Sequence, residues 1–168
     1  MLTIGEAAPR FSCKAYGPSG KRDVSLSDNA GKWQILLFYV TDLSPICPME
    51  VIELNKEHEN FSSQGFEFLG ISVDSIEVHK KFSEESLGIK LKFPLLSDTD
   101  GKLGKSYGVF NEEKKNDRRA TFIIDPDLKI RYFCVSDNKI GRSTKEIYRV
   151  AMALKSGEAC TVNWEPKD

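Results

Sequence analysis

Residues 34–61, QILLFYVTDLSPICPMEVIELNKEHENF, decide the fold. The apolar run at 35–40 is bounded by polar residues and reads as a buried strand. A short loop, Thr41-Asp42-Leu43-Ser44-Pro45, follows it. Then come Cys47, Pro48 and a helical pattern with apolar side chains at Met49, Ile52, Leu54 and Phe61. Proline is favoured in the first turn of a helix, where its missing N–H would lack a partner anyway. The spacing therefore places Cys47 at the helix N-cap, directly after a strand. Unpaired backbone N–H groups and the positive end of the helix dipole favour a thiolate there over a thiol. Free cysteines more often act as small buried hydrophobes; the strand–loop–Cys-Pro–helix setting turns this one toward a nucleophile.

Outward from that stretch, residues 1–30 read as an irregular, strand-rich segment punctuated by Gly5, Pro9, Gly17, Pro18 and Gly20. Asp23-Val24-Ser25-Leu26 alternates, and Ser27-Asp28-Asn29 predicts a turn or a single helical turn. Gln64-Gly65 ends the first helix. A second buried strand is predicted over 66–73, and Asp74-Ser75 caps a helix over about 76–85. Strand–helix–strand–helix in this order favours a parallel core. A short helix is expected over 102–107. The runs 120–125 and 129–135, joined at Pro126-Asp127, predict an antiparallel hairpin at the edge of a mixed sheet. Ser143-Thr144-Lys145-Glu146 matches a capping box opening a helix through Leu154, closed by Gly157. The fold class expected is α/β, with a mixed central sheet flanked by helices. The domain spans 1–156, and 157–168 forms a tail carrying Cys160.

The 168-residue chain has a net charge of −1, which gives no electrostatic case for nucleic acid or an anionic membrane. No apolar segment approaches the roughly 20 residues of a membrane span. The N-terminus lacks the basic and apolar regions of a secretory signal. Four widely spaced cysteines (13, 47, 134 and 160) do not form a dense disulfide framework, so a reducing, cytoplasmic setting is expected. Cys13 reads as structural, and Cys134 as inert, in the core or facing along the sheet.

A thiolate at a helix start serves disulfide exchange, hydrolysis or peroxide reduction. A CxxC pair would need cysteine at position 50, where Glu50 stands. A cysteine hydrolase needs a general base, and the only histidines are His58 and His79. Both lie in charged surroundings and read as solvated helix-face residues. A thiolate without a base suits attack on a weak O–O bond, given donors that stabilise the departing oxygen.

The segment FYVTDLSPICPMEV (38–51) strongly resembles the active-site region of peroxiredoxins of the alkyl hydroperoxide reductase/thiol-specific antioxidant family, whose pattern is Pro-x-x-x-Thr/Ser-x-x-Cys. Similarity continues through VSLSD (24–28), FLGISVDS (68–75), FPLLSD (93–98), DRRATFIID (117–125), IGRS (140–143) and GEACTVNWEP (157–166), the last resembling the typical two-cysteine subclass. The resemblance implies a thioredoxin-like fold and a thiol-dependent peroxidase without metal or cofactor. It implies Cys47 as the peroxidatic cysteine and Ser44 as the hydroxyl residue three positions before it. Arg119 matches the arginine that stabilises the thiolate and holds the peroxide. Glu50 and Arg142 match the carboxylate and second arginine of the surrounding network, and Cys160 the resolving cysteine. The implied partners are a peroxide, thioredoxin or a similar dithiol reductant, and a second subunit in a homodimer or a ring of dimers. The family's first helical turn must unwind for its two cysteines to meet, so local unfolding around Cys47 is expected.

The chain departs from the family at Val40, where the pattern has proline. It also has Glu85-Ser86-Leu87-Gly88 in place of the Gly-Gly-Leu-Gly loop of hyperoxidation-sensitive members, and it stops without their added Tyr-Phe helix. The altered loop and the missing helix imply a robust form that resolves its sulfenate early. A one-cysteine peroxidase, or a holdase-type chaperone or redox-signalling protein on the same scaffold, remain the alternative readings.

Overall fold

In the computed structural model, which describes residues 2–167, the chain begins with a hairpin of β1 (Ser12–Gly17) and β2 (Gly20–Ser25). A 3-10 turn (Leu26–Asn29) leads into β3 (Trp33–Phe38), and the loop beyond it into α1 (Cys47–Ser62). β4 (Phe66–Ser72) and α2 (Ile76–Lys81) come next, then a π-helical turn (Phe82–Leu87) and β5 (Leu95–Ser97). After α3 (Lys102–Ser106), a small ribbon forms from β6 (Phe110–Asn111) and β7 (Asn116–Asp117). β8 (Arg119–Ile124), β9 (Ile130–Ser136) and α4 (Thr144–Ser156) complete the elements.

Seven strands make one mixed sheet in the order β2-β1-β5-β4-β3-β8-β9. β3, β4 and β5 run parallel, as the alternation of strands and helices predicted, while β8 returns antiparallel against β3 with Leu36 opposite Phe122. Parallel central strands are covered on both faces, so they read as continuous apolar runs. β3 shows this directly. Ile35 and Leu37 point into a core formed with Val51, Leu54 and Phe61 of α1 and Ile147 and Ala151 of α4. Leu36 and Phe38 point the other way, toward Leu103 of α3, Tyr107 and Phe122.

The caps follow the sequence with one refinement. Ser75 accepts the Val78 N–H at 3.3 Å, and Ser143 accepts the Glu146 N–H at 3.2 Å. The expected capping box at Ser143 is half-formed, because the Glu146 carboxylate turns to Arg149 at 2.7 and 2.8 Å. The helix expected over 76–85 keeps α geometry only to Lys81 and then widens into the π-helical turn. Gly157 closes α4 at φ +69°, a left-handed conformation that costs glycine no Cβ clash. Cys134 corrects its expected place in the core: its strand β9 is the outer edge of the sheet, and the residue is exposed. Among the described residues, no helix is long and apolar enough to cross a membrane.

Candidate active site

The loop after β3 and the first turn of α1 set the geometry of the site. Cys47 is the first residue of α1, with Ile46 in the capping position and Pro48 second; the expected N-cap placement moves by one residue. Ser44 supplies the missing cap: its Oγ accepts the Cys47 N–H at 3.0 Å. The Ser44 contact is thus to the cysteine's amide. The Cys47 side chain is fully buried among α1, α4 and the sheet.

Arg119 opens β8, beside the end of β3 from which the loop to α1 departs, because β8 pairs with β3 in antiparallel register. Its side chain reaches under α1, and both terminal guanidinium nitrogens lie 3.7 Å from Cys47 Sγ. The guanidinium thus sets a delocalised, forked cation directly against the sulfur. Arg119 is itself fixed from three directions. It donates to the Glu50 carboxylate, to the Asn138 carbonyl at 3.0 Å, and through its backbone N–H to Asn138 Oδ1 at 3.0 Å. Its Nε is buried and has no acceptor among the described residues, leaving one donor that an oxygen ligand would satisfy.

Glu50 lies one turn after Cys47 and turns the same way. Arg142, at the end of the loop after β9, clamps it with three donors: backbone N–H at 2.7 Å, Nε at 3.2 Å and Nη2 at 2.9 Å. Burial alone would raise the Glu50 pKa. The hydrogen bonds and charge of Arg142, with the charge of Arg119, outweigh it and hold the carboxyl below its usual range. A buried carboxylate bridging two guanidiniums is stable only because nearly every donor and acceptor is used. Beside this network, Ile46, Met49, Leu54, Gly141 and Ile147 help to line a groove of about 490 Å3 that Glu50 and Arg142 also face.

Ser44, Cys47, Glu50, Arg119 and Arg142 therefore lie together around the start of α1. Cys160 does not join them. Its sulfur rests against the end of α4, 3.6 Å from the Glu158 carbonyl and 3.9 Å from the Ala153 carbonyl, and is a free thiol. Val40 is partly buried and packs against the core cluster to which Cys47 belongs.

The chain belongs to the AhpC/TSA family. The sequence model of that family matches residues 4–133, which include Ser44, Cys47, Glu50 and Arg119 but stop short of Arg142 and Cys160. The chain is 37% identical to a thioredoxin peroxidase of Echinococcus granulosus, covering 97% of this chain and 89% of that protein. It is 34% identical to an alkyl hydroperoxide reductase C of Mycolicibacterium smegmatis, covering 100% and 92%. Among solved structures it superimposes on a reduced 2-Cys peroxiredoxin of Plasmodium vivax with a TM-score of 0.93, at 31% identity over 98% of this chain and 90% of that one. The thioredoxin-like fold expected of an AhpC/TSA member is therefore present.

Sequence reasoning missed the buried polar residues behind the site. His79, read as a solvated residue, is wholly buried: Nδ1 lies 2.7 Å from Asp42 Oδ2 and Nε2 lies 3.2 Å from the Leu96 carbonyl. The signal was its spacing. Ile76, His79 and Phe82 fall three apart on the buried face of α2 and its continuation, although Lys80 and Lys81 draw the eye to charge. His58 is also half-covered, its ring near Phe68 and Phe93, and burial lowers its pKa. Donor atoms of Asp42, Asp74 and His79 lie within 4.8 Å of one another. Thr41, Ser72, Tyr39 and the Asp42 amide already bond to the two carboxylates, so the cluster is a hydrogen-bond network rather than a metal cage.

Proposed function

We infer that this protein is a thiol-dependent peroxidase whose nucleophile is Cys47. The observation that carries the reading is the contact of both Arg119 terminal nitrogens with a buried sulfur at the start of a helix. The relatives' names, thioredoxin peroxidase and alkyl hydroperoxide reductase C, agree with it. The substrate is a hydroperoxide, hydrogen peroxide or an alkyl hydroperoxide. The Cys47 thiolate attacks the terminal oxygen; the S–O bond forms as the O–O bond breaks, and the departing oxygen takes a proton to leave as water or alcohol. Arg119 stabilises the charge that moves from sulfur to oxygen, while Glu50 and Arg142 keep its guanidinium aimed.

The sulfenic acid then condenses with a thiol, losing water to give a disulfide, and a dithiol reductant such as thioredoxin restores both thiols by exchange. The resolving thiol is the partner subunit's Cys160 in a homodimer. Support comes from the tail position of Cys160 and from β9, an unpaired edge strand that presents Phe133 and Val135 to solvent. The chemistry calls for a reducing compartment, which fits a cytoplasmic setting. A one-cysteine mechanism is the second reading, favoured by the distance of Cys160 from the site within its own chain, where its sulfur contacts only α4 and the tail.

The test is a non-reducing gel after one equivalent of hydrogen peroxide, with Cys47→Ser and Cys160→Ser beside the native chain. A covalent dimer from the native chain that neither variant forms supports the two-cysteine cycle. Peroxide consumption without a dimer supports the one-cysteine reading. A Cys47 that does not react at all would sink the peroxidase and leave a chaperone role on this scaffold.

A further inference from the structure

The loop that delivers Cys47 is held to the body of the protein on either side of residues 43–46: at Asp42 before them, and beyond them by Arg119 on Cys47 and Arg142 on Glu50. Between Asp42 and Cys47 the hydrogen bonds among the described residues are local: Leu43 N–H to Thr41 Oγ1 at 3.4 Å, Ser44 N–H to the Thr41 carbonyl at 3.2 Å, and the Ser44 cap on Cys47. Pro45 has no N–H to give, and Leu43 is 78% exposed. At Asp42 the situation reverses. Its carboxylate is buried, accepting the Tyr39 hydroxyl at 2.7 Å on one oxygen and facing His79 Nδ1 at 2.7 Å with the other. Its amide donates to Asp74 at 2.8 Å, and Thr41 Oγ1 donates to the other Asp74 oxygen at 2.8 Å. Asp74 in turn is fixed by Ser72 at 2.7 Å, and its carbonyl accepts from Ser97 at 2.6 Å. His79 spans from Asp42 to the Leu96 carbonyl, so both ring nitrogens face acceptors. One buried pair thereby ties the loop to α2, β4 and β5.

We propose that Asp42 and His79 are positioning residues that anchor the reactive-cysteine loop and stop its unwinding at residue 42. This rests on Cys47 being the reactive thiolate. Cys47 is fully buried in this conformation, so meeting a resolving thiol requires the segment after Asp42 and the first turn of α1 to open. Residues 43–46 can open without breaking a long-range hydrogen bond, and the first turn of α1 then has to release Cys47 from Arg119. Carrying the motion past Asp42 would strand buried polar partners, which is strongly disfavoured. The anchor thus returns Cys47 to Arg119 after each opening. It keeps the closed, peroxide-reducing state populated while leaving residues 43–46 untied to the rest of the fold.

The experiment uses the reduced full-length chain and reads the opening directly. Iodoacetamide reacts with Cys47 only when the loop opens, and peptide mass spectrometry separates Cys47 from the other three cysteines. Asp42→Asn and His79→Gln are expected to raise the Cys47 alkylation rate by about tenfold or more and to slow reaction with hydrogen peroxide several-fold. Disulfide formation, once Cys47 is oxidised, should not slow. Tyr39→Phe, which removes one bond to Asp42, is the mild variant should the others fail to fold, and should move both rates the same way by less. Leu103→Ala, on the opposite face of the sheet, controls for general loss of stability. Alkylation that rises no more in the loop variants than in Leu103→Ala at equal loss of Tm would overturn the anchor. The alkylation readout needs no peroxide, so an inactive native chain would count against the peroxidase reading and leave the anchor separately tested.

Discussion

Arg119 touches the two groups on which the site depends, the Cys47 sulfur and the Glu50 carboxylate, with one guanidinium. Its removal should therefore act twice. Arg119→Ala is expected to lower the second-order rate with hydrogen peroxide by about 10²–10³-fold, the scale of losing a preorganised charge stabiliser, in a stopped-flow assay. Arg119→Lys restores charge but not the fork, and should recover only part of the rate. Glu50 gives the corresponding pH prediction. Its pKa lies below the ordinary 4.5 in the folded chain, because Arg142 and Arg119 outweigh the opposing effect of burial. A depressed acid pKa contributes stability that is present above the unfolded value and lost as pH falls through the folded one. Thermal melts below about pH 4.5 should thus show steepening loss of Tm in the native chain. Glu50→Gln should be less stable by about 3–5 kcal/mol near neutrality, since two buried guanidiniums lose their counter-charge, and should show a flatter acid limb. Equal acid limbs in the two proteins would remove Glu50 from that account.

Among the elements, the sheet and α1 were legible because strong period and punctuation agreed: an unbroken apolar run for a strand covered on both faces, then Cys-Pro at a helix start. The convergence of Ser44, Cys47, Glu50, Arg119 and Arg142 was legible only through resemblance, since nothing in the spacing brings β8 under α1 until β3 and β8 are paired. His79 and Cys134 were misread because local charge and apolarity say little about position in a sheet. The first is sealed by packing against β5, and the second is bared by an edge. Asp117 was not noticed at all. It ends β7, and its buried carboxylate occupies the space that a Cβ on Gly104 of α3 would take. Neither of its oxygens has a hydrogen-bond partner among the described residues. Burial, and then the charge of Asp98, push its pKa up to about 7. A raised acid pKa works opposite to that of Glu50. The penalty is absent below about 3.8, grows as the unfolded chain alone loses its proton, and is complete above about 7. Its full size is on the order of 4 kcal/mol. Asp117→Asn should therefore melt higher than the native chain at pH 8 and converge with it near pH 4; a pH-independent difference would mean that packing, not ionisation, governs the position.

At the scale of the whole molecule, the sheet has two edges of contrasting chemistry. β2 carries Lys21, Arg22 and Asp23, and an edge strand rich in charge resists pairing with another copy. β9 carries Phe133 at 39% and Val135 at 47% exposure on one face, with the exposed Cys134 on the other, and no strand lies beyond it among the described residues. Past Ile130, whose amide and carbonyl pair with Glu6 and Gly5, alternate residues of β9 turn open backbone donors and acceptors outward, and a second copy of the same strand satisfies these when two sheets join edge to edge around a two-fold axis. That union would extend the sheet through both subunits and supply the second chain that an intersubunit disulfide requires. A charge on this edge should undo it. Val135→Lys is expected to shift the 18.9 kDa chain from dimer to monomer at micromolar concentration in sedimentation velocity, and to slow formation of the peroxide-induced covalent dimer. The initial reaction of Cys47 with peroxide should change much less, because Arg119, which holds its sulfur, comes from the same chain. A Val135→Lys protein that remains dimeric and forms the disulfide at the native rate would move the interface to another face. One that loses both the dimer and the first reaction would show that the closed arrangement of Cys47 and Arg119 itself depends on the partner.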